Sequence, residues 1–333
     1  MGVTIHDQIT DPLVLREGYI LRDGFVFALR GGTLPIMDRI VIRSPQRARG
    51  HIWQNGFSYR TLEEHIELVN KYQIEKALII SDHLDFLLDC PSLKDIHVVP
   101  SFSAPDRFDY SVLHQMPNLK QLSCQTEYGE TMQYNTTIEY SDLNGLEELH
   151  LYGGVHIGFE KLPMLKKIFI SQNKEIRDFS EISCSKVLEN AEILQTRIQT
   201  LSGIEQYRNL KTLHLTHNYA LQDISALEAV SETLEELSID ACSKLRDFSV
   251  LSTLSNLRCL HLEGNNVLPD LRFLDNMKNL LLFNFTMDVA DGDLDLCMKI
   301  PYVTCRNRKH FNLKDKELPK DLTPLRKHQG VEP

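Results

Sequence analysis

The chain has 333 residues, of which 42% are hydrophobic and 25% are charged. This composition is sufficient for a packed core and argues against intrinsic disorder. The formal net charge of −10 argues against a general nucleic-acid binder, because phosphate binding requires a basic surface. An acidic chain is instead expected to attract basic partners.

The sequence also lacks the features typical of a membrane or secreted protein. No segment approaches the run of roughly 18 apolar residues that spans a membrane. The first residues, MGVTIHDQITDPLVL, lack the basic start and apolar run of a secretory signal. The seven cysteines include no CxxC pair, which favours reduced thiols. We therefore expect a cytoplasmic protein without a membrane partner.

Residues 1–72 do not repeat, and they predict an N-terminal cap built of strands and one helix. The segment GYILRDGFVFALRGG predicts two strands joined at Asp23-Gly24, a strong hairpin signal, and PIMDRIVIRS predicts a further strand. Thr61 and Glu64 form a capping box ahead of the predicted helix, TLEEHIELVNKYQ. Such a cap would cover the open end of a repeat array, where core and strand edge are exposed.

A possible second contact surface lies within this cap. Arg47 and Arg49 are close in sequence to Trp53, the only tryptophan, and Arg and Trp are favoured at interface hot spots. The alternative interpretation is a solvated loop in which Trp53 covers the core of the cap, since many surface charges contribute nothing measurable.

Internal repeats follow the cap. Three consecutive segments read LKTLHLTHNYALQDISAL, LEELSIDACSKLRDFSVL and LRCLHLEGNNVLPDLRFL, and their starts lie 24 and 23 residues apart. In each segment, alternating apolar residues predict a short strand that pairs in parallel with the next repeat, because no single repeat can bury its own apolar face. Eleven starts predict a solenoid over residues 73–308: Ile74, Leu93, Leu119, Leu146, Leu165, Leu188, Leu210, Leu234, Leu257, Leu280 and Ile300.

Polar residues recur at two further positions of the repeats. One position follows the strand, where a side chain can donate a hydrogen bond to the backbone as the chain leaves the sheet. The other is an aspartate, which is expected to cap a short 3₁₀ or helical turn on the outer side. The first position holds Asn173, Asn218, Cys242 and Asn265, and the second holds Asp178, Asp223, Asp247 and Asp270.

Because these Leu, Asn and Asp positions recur together, the region from about 140 to 290 resembles the leucine-rich-repeat family. The similarity is to the short-repeat class that includes bacterial internalin-type and phosphatase-regulator repeats. The resemblance implies an α/β solenoid: a horseshoe with a parallel concave sheet, a convex side of mostly 3₁₀ turns or short helices, and a concave face that binds proteins. It implies a bacterial source and no catalytic residue. Residues 309–333 are expected to form a C-terminal cap or tail.

Strand alternation predicts which side chains face outward on the concave sheet. The middle outward row is expected to be Leu78, His97, Ser123, His150, Phe169, Glu192, His214, Ser238, His261, Asn284 and Thr304. The predicted protein-binding residues on this face are Glu148, His150, Tyr152, Glu192, Leu194, His214, Glu236, Asp240, His261 and Glu263. This acidic, histidine-bearing surface favours a basic protein partner. An ordinary solvated sheet face, with the interface on an edge or on the cap, remains an alternative.

A metal site around His214, Asp240, His261 and Glu263 is disfavoured. The two histidines lie two repeats apart, roughly 10 Å, which is too far for one coordination shell. No metal and no other cofactor is expected.

No catalytic motif is present among those sought, namely GxSxG, GxxxxGK[ST], HExxH and GxGxxG. Cys259 and His261 are expected to project from the same exposed sheet face and leave one enzymatic alternative. Nucleophilic catalysis would also require a pocket and an orienting group.

The sequence therefore predicts non-enzymatic protein recognition. A concrete form is a neutralising, immunity-type partner of a basic toxin domain. The alternatives are a scaffold or regulatory subunit of a cellular enzyme, and an enzyme that uses the Cys259 and His261 pair.

Overall fold

The computed structural model describes residues 19–22, 25–28, 40–44, 61–101, 104, 108–125, 127–128, 132–133, 137–153, 155–182 and 185–330. The chain divides into two compact units, Met1–Gly158 (unit 1) and Phe159–Pro333 (unit 2). In both units a strand begins two residues after each of the predicted repeat starts. The repeat pattern is therefore confirmed along its length, including the irregular early repeats and the weak last one at Ile300.

Unit 1 contains a parallel ladder whose strands occur in the order β3-β4-β5-β6-β10. Its central residues align from strand to strand, with Leu78 opposite His97, His97 opposite Ser123, and Ser123 opposite His150. The elements of unit 1 are β1 (Tyr19–Arg22), β2 (Phe25–Ala28), β3 (Ile40–Ser44), α1 (Leu62–Tyr72), β4 (Lys76–Ser81), β5 (Asp95–Pro100), β6 (Gln121–Gln125), β7 (Glu127–Tyr128), β8 (Met132–Gln133), β9 (Thr137–Glu139), β10 (Glu148–Tyr152) and β11 (Val155–Ile157).

The N-terminal elements agree with the predicted strands and helix. β1 and β2 pair in antiparallel fashion with Arg22 opposite Phe25, and the intervening turn residues lie outside the described residues. β3 pairs in parallel with β4 and therefore adds a strand to the ladder ahead of the first predicted repeat. At the start of α1, the Glu64 amide donates to the Thr61 hydroxyl over 3.2 Å and the Thr61 amide donates to the Glu64 carboxylate over 2.6 Å. The predicted capping box is confirmed.

Unit 2 contains a second parallel ladder in the order β12-β13-β14-β15-β16-β18-β20. Inward residues such as Leu213 and Leu215 are fully buried, so the alternate side chains point to the outer face of the sheet. The elements of unit 2 are β12 (Lys167–Ser171), β13 (Asn190–Leu194), β14 (Thr212–Thr216), β15 (Glu236–Asp240), β16 (Cys259–Glu263), β17 (Val267–Leu268), β18 (Leu282–Phe285), β19 (Asp288–Val289), β20 (Tyr302–Cys305) and α2 (Thr323–His328). No helix among the described residues is both long enough and apolar enough to cross a membrane.

The chain leaves β12 to β16 through a residue with positive φ, for example His217 with φ 53° and Ala241 with φ 52°. A buried polar side chain follows. The Asn218 amide donates to the Ile193 carbonyl over 2.7 Å, and its oxygen accepts from the amide and hydroxyl of Thr196. The predicted role of this position is confirmed at Asn218, which satisfies a carbonyl of the preceding repeat.

The assignment of this role to Asn265 is wrong. Asn265 is exposed, and Asn266 is buried and donates to the backbone carbonyls of Cys242 and Leu245. In this repeat Gly264 occupies the left-handed position with φ 127°, a conformation that lengthens the turn by one residue and shifts the inward side chain.

The outer segments of the repeats are 3₁₀ turns, as predicted. The carboxylate of Asp178 accepts a hydrogen bond from the amide two residues later, at 2.9 Å, and Asp223, Asp247 and Asp270 do the same at 2.8 Å. These bonds satisfy amides at the start of each turn that have no partner within the turn.

Residues 309–330 pack onto the end of unit 2. Phe311, Leu318 and Leu325 are buried, and Lys320 pairs in antiparallel fashion with Tyr302 of β20. The segment therefore covers the edge of the last strand, where unpaired backbone groups would otherwise be available to another chain.

Candidate protein-binding surface

The outward side chains of the unit 2 ladder form the surface that we call the unit 2 face. Adjacent strands align in register, so its middle row follows the order expected from strand alternation. The members of this row are Phe169, Glu192, His214, Ser238, His261, Asn284 and Thr304.

His214 connects two glutamates on this face. Its Nε2 lies 2.9 Å from Oε1 of Glu236, and its Nδ1 lies 3.8 Å from Oε1 of Glu192. The hydrogen bond to Glu236 raises the pKa of His214, and burial acts in the opposite direction. The same bond lowers the pKa of Glu236. The pair therefore favours a protonated imidazole beside a carboxylate.

His261 lies two strands away in the same row and has a different environment. Its Nδ1 is 3.4 Å from the side-chain nitrogen of Asn284, which also donates to Glu263 over 2.8 Å. Burial lowers the pKa of His261, and the nearby glutamates oppose that shift. His261 therefore takes up a proton at lower pH than His214.

Two carboxylates lie side by side in the next row of the face. Asp240 on β15 is directly opposite Glu263 on β16. Among the described residues, no lysine or arginine forms an ion pair with either side chain. The residues that immediately precede the strands are paired in charge. Lys211, before β14, lies 3.0 Å from Glu189, before β13, and Arg258, before β16, lies 3.5 Å from Glu235, before β15. The fold thus pairs the charges at that edge and leaves like charges adjacent on the face.

Leu194 completes the predicted binding residues of unit 2. It is half-buried on β13 and lies opposite Thr216 of β14. The row that contains Asp240 and Glu263 therefore begins with Ser171 and Leu194 and continues through Thr216 to the two carboxylates.

The predicted binding residues of unit 1 are Glu148, His150 and Tyr152, all on β10. Oε1 of Glu148 lies 2.8 Å from Nε2 of His150. The Tyr152 ring stacks against His97 of β5, with centroids 6.1 Å apart. The rings of His97 and Tyr152 are therefore in contact in unit 1.

The expected exposure of the middle row is wrong at two positions in unit 1. Leu78 is 4% exposed and Ser123 is 5% exposed. Ser123 lies on β6, between the strands that carry His97 and Tyr152, so the two larger rings approach each other over this small side chain. The row in unit 1 is consequently less open than the row in unit 2.

The second predicted contact, Arg47, Arg49 and Trp53, lies outside the described residues. It remains a prediction from the sequence.

The expectation that Cys259 is exposed is wrong. The residue is 8% exposed because it lies between Glu236 and Leu282 of the neighbouring strands, which have larger side chains. Burial, followed by the charge of Glu236, raises the pKa of the Cys259 thiol to about 11. The thiolate is the nucleophilic form, so this environment disfavours a Cys259 nucleophile at neutral pH.

Within the described part of the chain, no group of three or more His, Cys, Asp or Glu side chains is placed to hold a metal ion. The two histidines of the unit 2 face are separated by the strand that carries Ser238, as the spacing of the repeats implied.

Comparison with known proteins supports the fold more than it supports any specific activity. No family model matches the chain. A segment of 125 residues is 26% identical to the disease resistance protein RPS4B of Arabidopsis thaliana, covering 35% of this chain and 10% of that protein. The chain therefore spans about a tenth of the length of this curated relative.

Solved structures show a closer likeness in fold. An internalin (inlF) from Listeria monocytogenes aligns with a TM-score of 0.50 and 14% identity, covering 79% of this chain and 74% of that one. The leucine-rich-repeat domain of the type III effector XopL aligns with a TM-score of 0.42 and 15% identity, covering 78% and 86%.

The protein has a leucine-rich-repeat solenoid fold, as the repeat pattern predicts. Folds of this class commonly mediate protein–protein interaction and are typically non-enzymatic. The stacked strands of such a fold form an extended sheet surface, and the unit 2 face is the outward side of that sheet in unit 2.

Proposed function

We propose that the unit 2 face binds another protein and that this partner presents basic side chains to it. The observation that carries the proposal is the pair of carboxylates, Asp240 and Glu263, opposite one another on adjacent strands without a cation from the described residues. Like charges directly opposite in a sheet are destabilising. A lysine or arginine from a partner would remove that repulsion on binding.

Other features of the face support the same proposal. Glu192 is exposed and the net charge of the chain is −10, so the electrostatic field would attract a basic partner and orient it. The half-buried Phe169 lies on β12 opposite Glu192, and the half-buried Leu194 lies on β13 with Glu192, so both offer apolar contact beside this carboxylate. Apolar contacts that exclude water strengthen the neighbouring electrostatic interactions.

A finer form of the proposal is a neutralising, immunity-type partner of a basic toxin domain, in the cytoplasm of a bacterium. The acidic face supports the basic partner. The free cysteines among the described residues support a reducing compartment. A regulatory subunit of a cellular enzyme would use the same face in the same way.

The test is a pull-down with the tagged protein from a lysate of the native organism at low and moderate salt. The bound chains are identified by mass spectrometry. The face variant Asp240→Lys with Glu263→Lys is compared with Glu228→Lys and Glu232→Lys. The control pair is exposed, lies on the outer side of a repeat, and changes the net charge equally.

We expect a basic partner that is lost from the face variant and retained by the control. Binding of the wild type should weaken as salt rises, because screening reduces the attraction between exposed charges. Equal retention of the partner by both variants would contradict the proposal.

A further inference from the structure

The unit 2 face carries two histidines among its carboxylates, and their arrangement has a consequence for binding. His214 is within hydrogen-bonding distance of Glu236 and within ion-pair distance of Glu192, at 2.9 Å and 3.8 Å. Glu236 also interacts electrostatically with His261, on the far side of β15. The two imidazoles therefore share Glu236, on the same strand as Asp240, and His261 also interacts with Glu263.

Three of the strands around these histidines contribute titratable groups. β13 provides Glu192, β15 provides Glu236 and Asp240, and β16 provides Cys259 and Glu263 beside His261. β18 provides the amide of Asn284, which is polar but does not titrate in this range. The Cys259 thiol is protonated at and below neutral pH, since burial raises its pKa to about 11. Between mildly alkaline and mildly acidic pH, the histidines are thus the groups of this cluster that change charge.

We infer that protonation of His214, and then of His261, switches the unit 2 face from a state that holds a basic partner to a state that releases it. The inference rests on the proposed function of this face. With both imidazoles neutral, the cluster carries four carboxylates: Glu192, Glu236, Asp240 and Glu263. Each protonation adds one positive charge among them, so the formal charge changes from −4 through −3 to −2.

The order of the two steps follows from the surroundings of each ring. The hydrogen bond that the imidazole donates to Glu236 raises the pKa of His214 above its ordinary value of 6.5, and burial lowers the pKa of His261 below that value. His214 is therefore protonated first as the pH falls, and this places an internal cation beside Glu236. Because the coupling is reciprocal, a bound cationic partner must in turn lower the histidine pKa values and displace protons.

Release at low pH is distinct from unfolding at low pH. A histidine whose folded-state pKa is raised contributes stability below its unfolded-state pKa, and that contribution is lost as the pH rises through the folded-state value. His214 therefore stabilises unit 2 at the same acidic pH at which it weakens the attraction for a basic partner. Loss of binding without loss of structure is the expected signature.

The experiment measures binding of a fluorescein-labelled deca-lysine peptide to the full chain by anisotropy, from pH 8 to pH 5.5 at constant ionic strength. Lysine remains charged over this range, so changes in affinity report the protein. We expect the wild-type Kd to rise by about tenfold as the pH falls. The double variant His214→Gln with His261→Gln should show a nearly flat pH profile, each profile being referred to its own value at pH 8.

His310→Gln is the matched control. His310 is also a histidine of unit 2 beside a carboxylate, with Nε2 3.2 Å from Asp288, but it lies in the C-terminal segment and not on the face. This variant should keep the wild-type pH profile. A profile that becomes flat in this control, or stays steep in the double variant, would overturn the inference.

Two results separate failure of the inference from failure of the proposed function. If Asp240→Asn with Glu263→Gln does not weaken deca-lysine binding at pH 8, the proposed function fails and the inference fails with it. If those substitutions weaken binding but the wild-type profile is flat, the proposed function stands and the inference alone is wrong.

An NMR titration of the histidine side chains provides a readout without any ligand. The imidazole of His214 should titrate above the ordinary value of 6.5, and Glu236→Gln should lower its pKa. A His214 pKa at or below 6.5 in the free protein would overturn the first step of the proposed switch.

Discussion

Polar groups inside the repeats and polar groups on the unit 2 face are arranged in opposite ways. Inside, Asn218 and His156 each have partners for both of their polar atoms: in unit 2, Asn218 bonds to Ile193 and Thr196, and in unit 1, His156 bonds to Tyr140 and Gly153. On the face, Asp240 and Glu263 lie together without a cation from the described residues. Buried polar groups need hydrogen-bond partners within the protein because water is excluded. A solvent-accessible group can be hydrated and stays available to a binding partner. The comparison separates residues that maintain the fold from residues available for binding.

The largest effect is expected at His156 when the pH is lowered. The neutral ring is satisfied on both sides, since Nε2 lies 2.5 Å from the Gly153 carbonyl and Nδ1 lies 3.0 Å from the Tyr140 hydroxyl. Burial lowers the pKa of His156 from 6.5 to about 4. The unfolded state therefore binds the proton first, and stability is lost as the pH falls from about 6.5 to about 4. At pH 4.5 the loss is about 2–3 kcal/mol.

Urea unfolding of unit 1 at pH 7 and pH 4.5 measures this loss, with hydrogen exchange used to assign the transition to unit 1. His156→Gln takes up no proton, so the difference in unfolding free energy between the two pH values should shrink by about 2–3 kcal/mol relative to the wild type. Equal differences in the two proteins would show that His156 is not held neutral by burial.

A loss of about 1–3 kcal/mol is expected for Asn218→Ala. The substitution removes the donor to the Ile193 carbonyl and the acceptor for Thr196, and both groups are buried. Asn209→Ala is the matched control, because Asn209 donates to the Lys186 carbonyl of the preceding repeat but is exposed. The control should change stability by less than about 0.5 kcal/mol. A neutral effect of Asn218→Ala in a denaturant melt would contradict its role.

The smallest effect is expected at Asp240, and it has the opposite sign. Asp240→Asn removes the repulsion with Glu263 and should raise the free energy of unfolding by about 0.2–1 kcal/mol. The same substitution should weaken binding of a basic partner. The gain in stability should shrink at high salt, because the two carboxylates are solvent-accessible. A loss of stability at low salt would mean that Asp240 has a structural role, and the comparison with Asn218 would no longer hold.

Most of the ladder could be predicted from sequence, because its determinants are local and periodic. Each inward leucine repeats at the spacing of one repeat, and each aspartate at the outer side bonds to an amide two residues later in its own segment. The capping box of α1 is likewise a contact between residues three apart. Such features need no knowledge of the neighbouring repeat, and strand alternation alone places the residues of the unit 2 face in order.

Features that depend on neighbouring repeats could not be predicted in this way. The residue with positive φ that follows each of β12 to β16 is glutamine, histidine, alanine or glycine, and only the glycine is a recognisable signal. The longer turn at Gly264 places Asn266, and not Asn265, at the buried position, and the spacing of the repeats does not reveal this. The pairing of Lys320 with Tyr302 joins residues on separate elements of the C-terminal region.

The amino-acid sequence by itself determined the starts of eleven repeats, their parallel pairing and the identity of the inward rows, because hydrophobic periodicity acts within each repeat. The tertiary structure alone decided which outward side chains are accessible. Cys259 is covered because Glu236 and Leu282 flank it, and Ser123 is covered because two rings meet above it. Asp240 and Glu263 have no lysine or arginine partner among the described residues because adjacent strands bring two acids together. Exposure and charge pairing are properties of neighbours in space, and those neighbours are established only when the repeats stack.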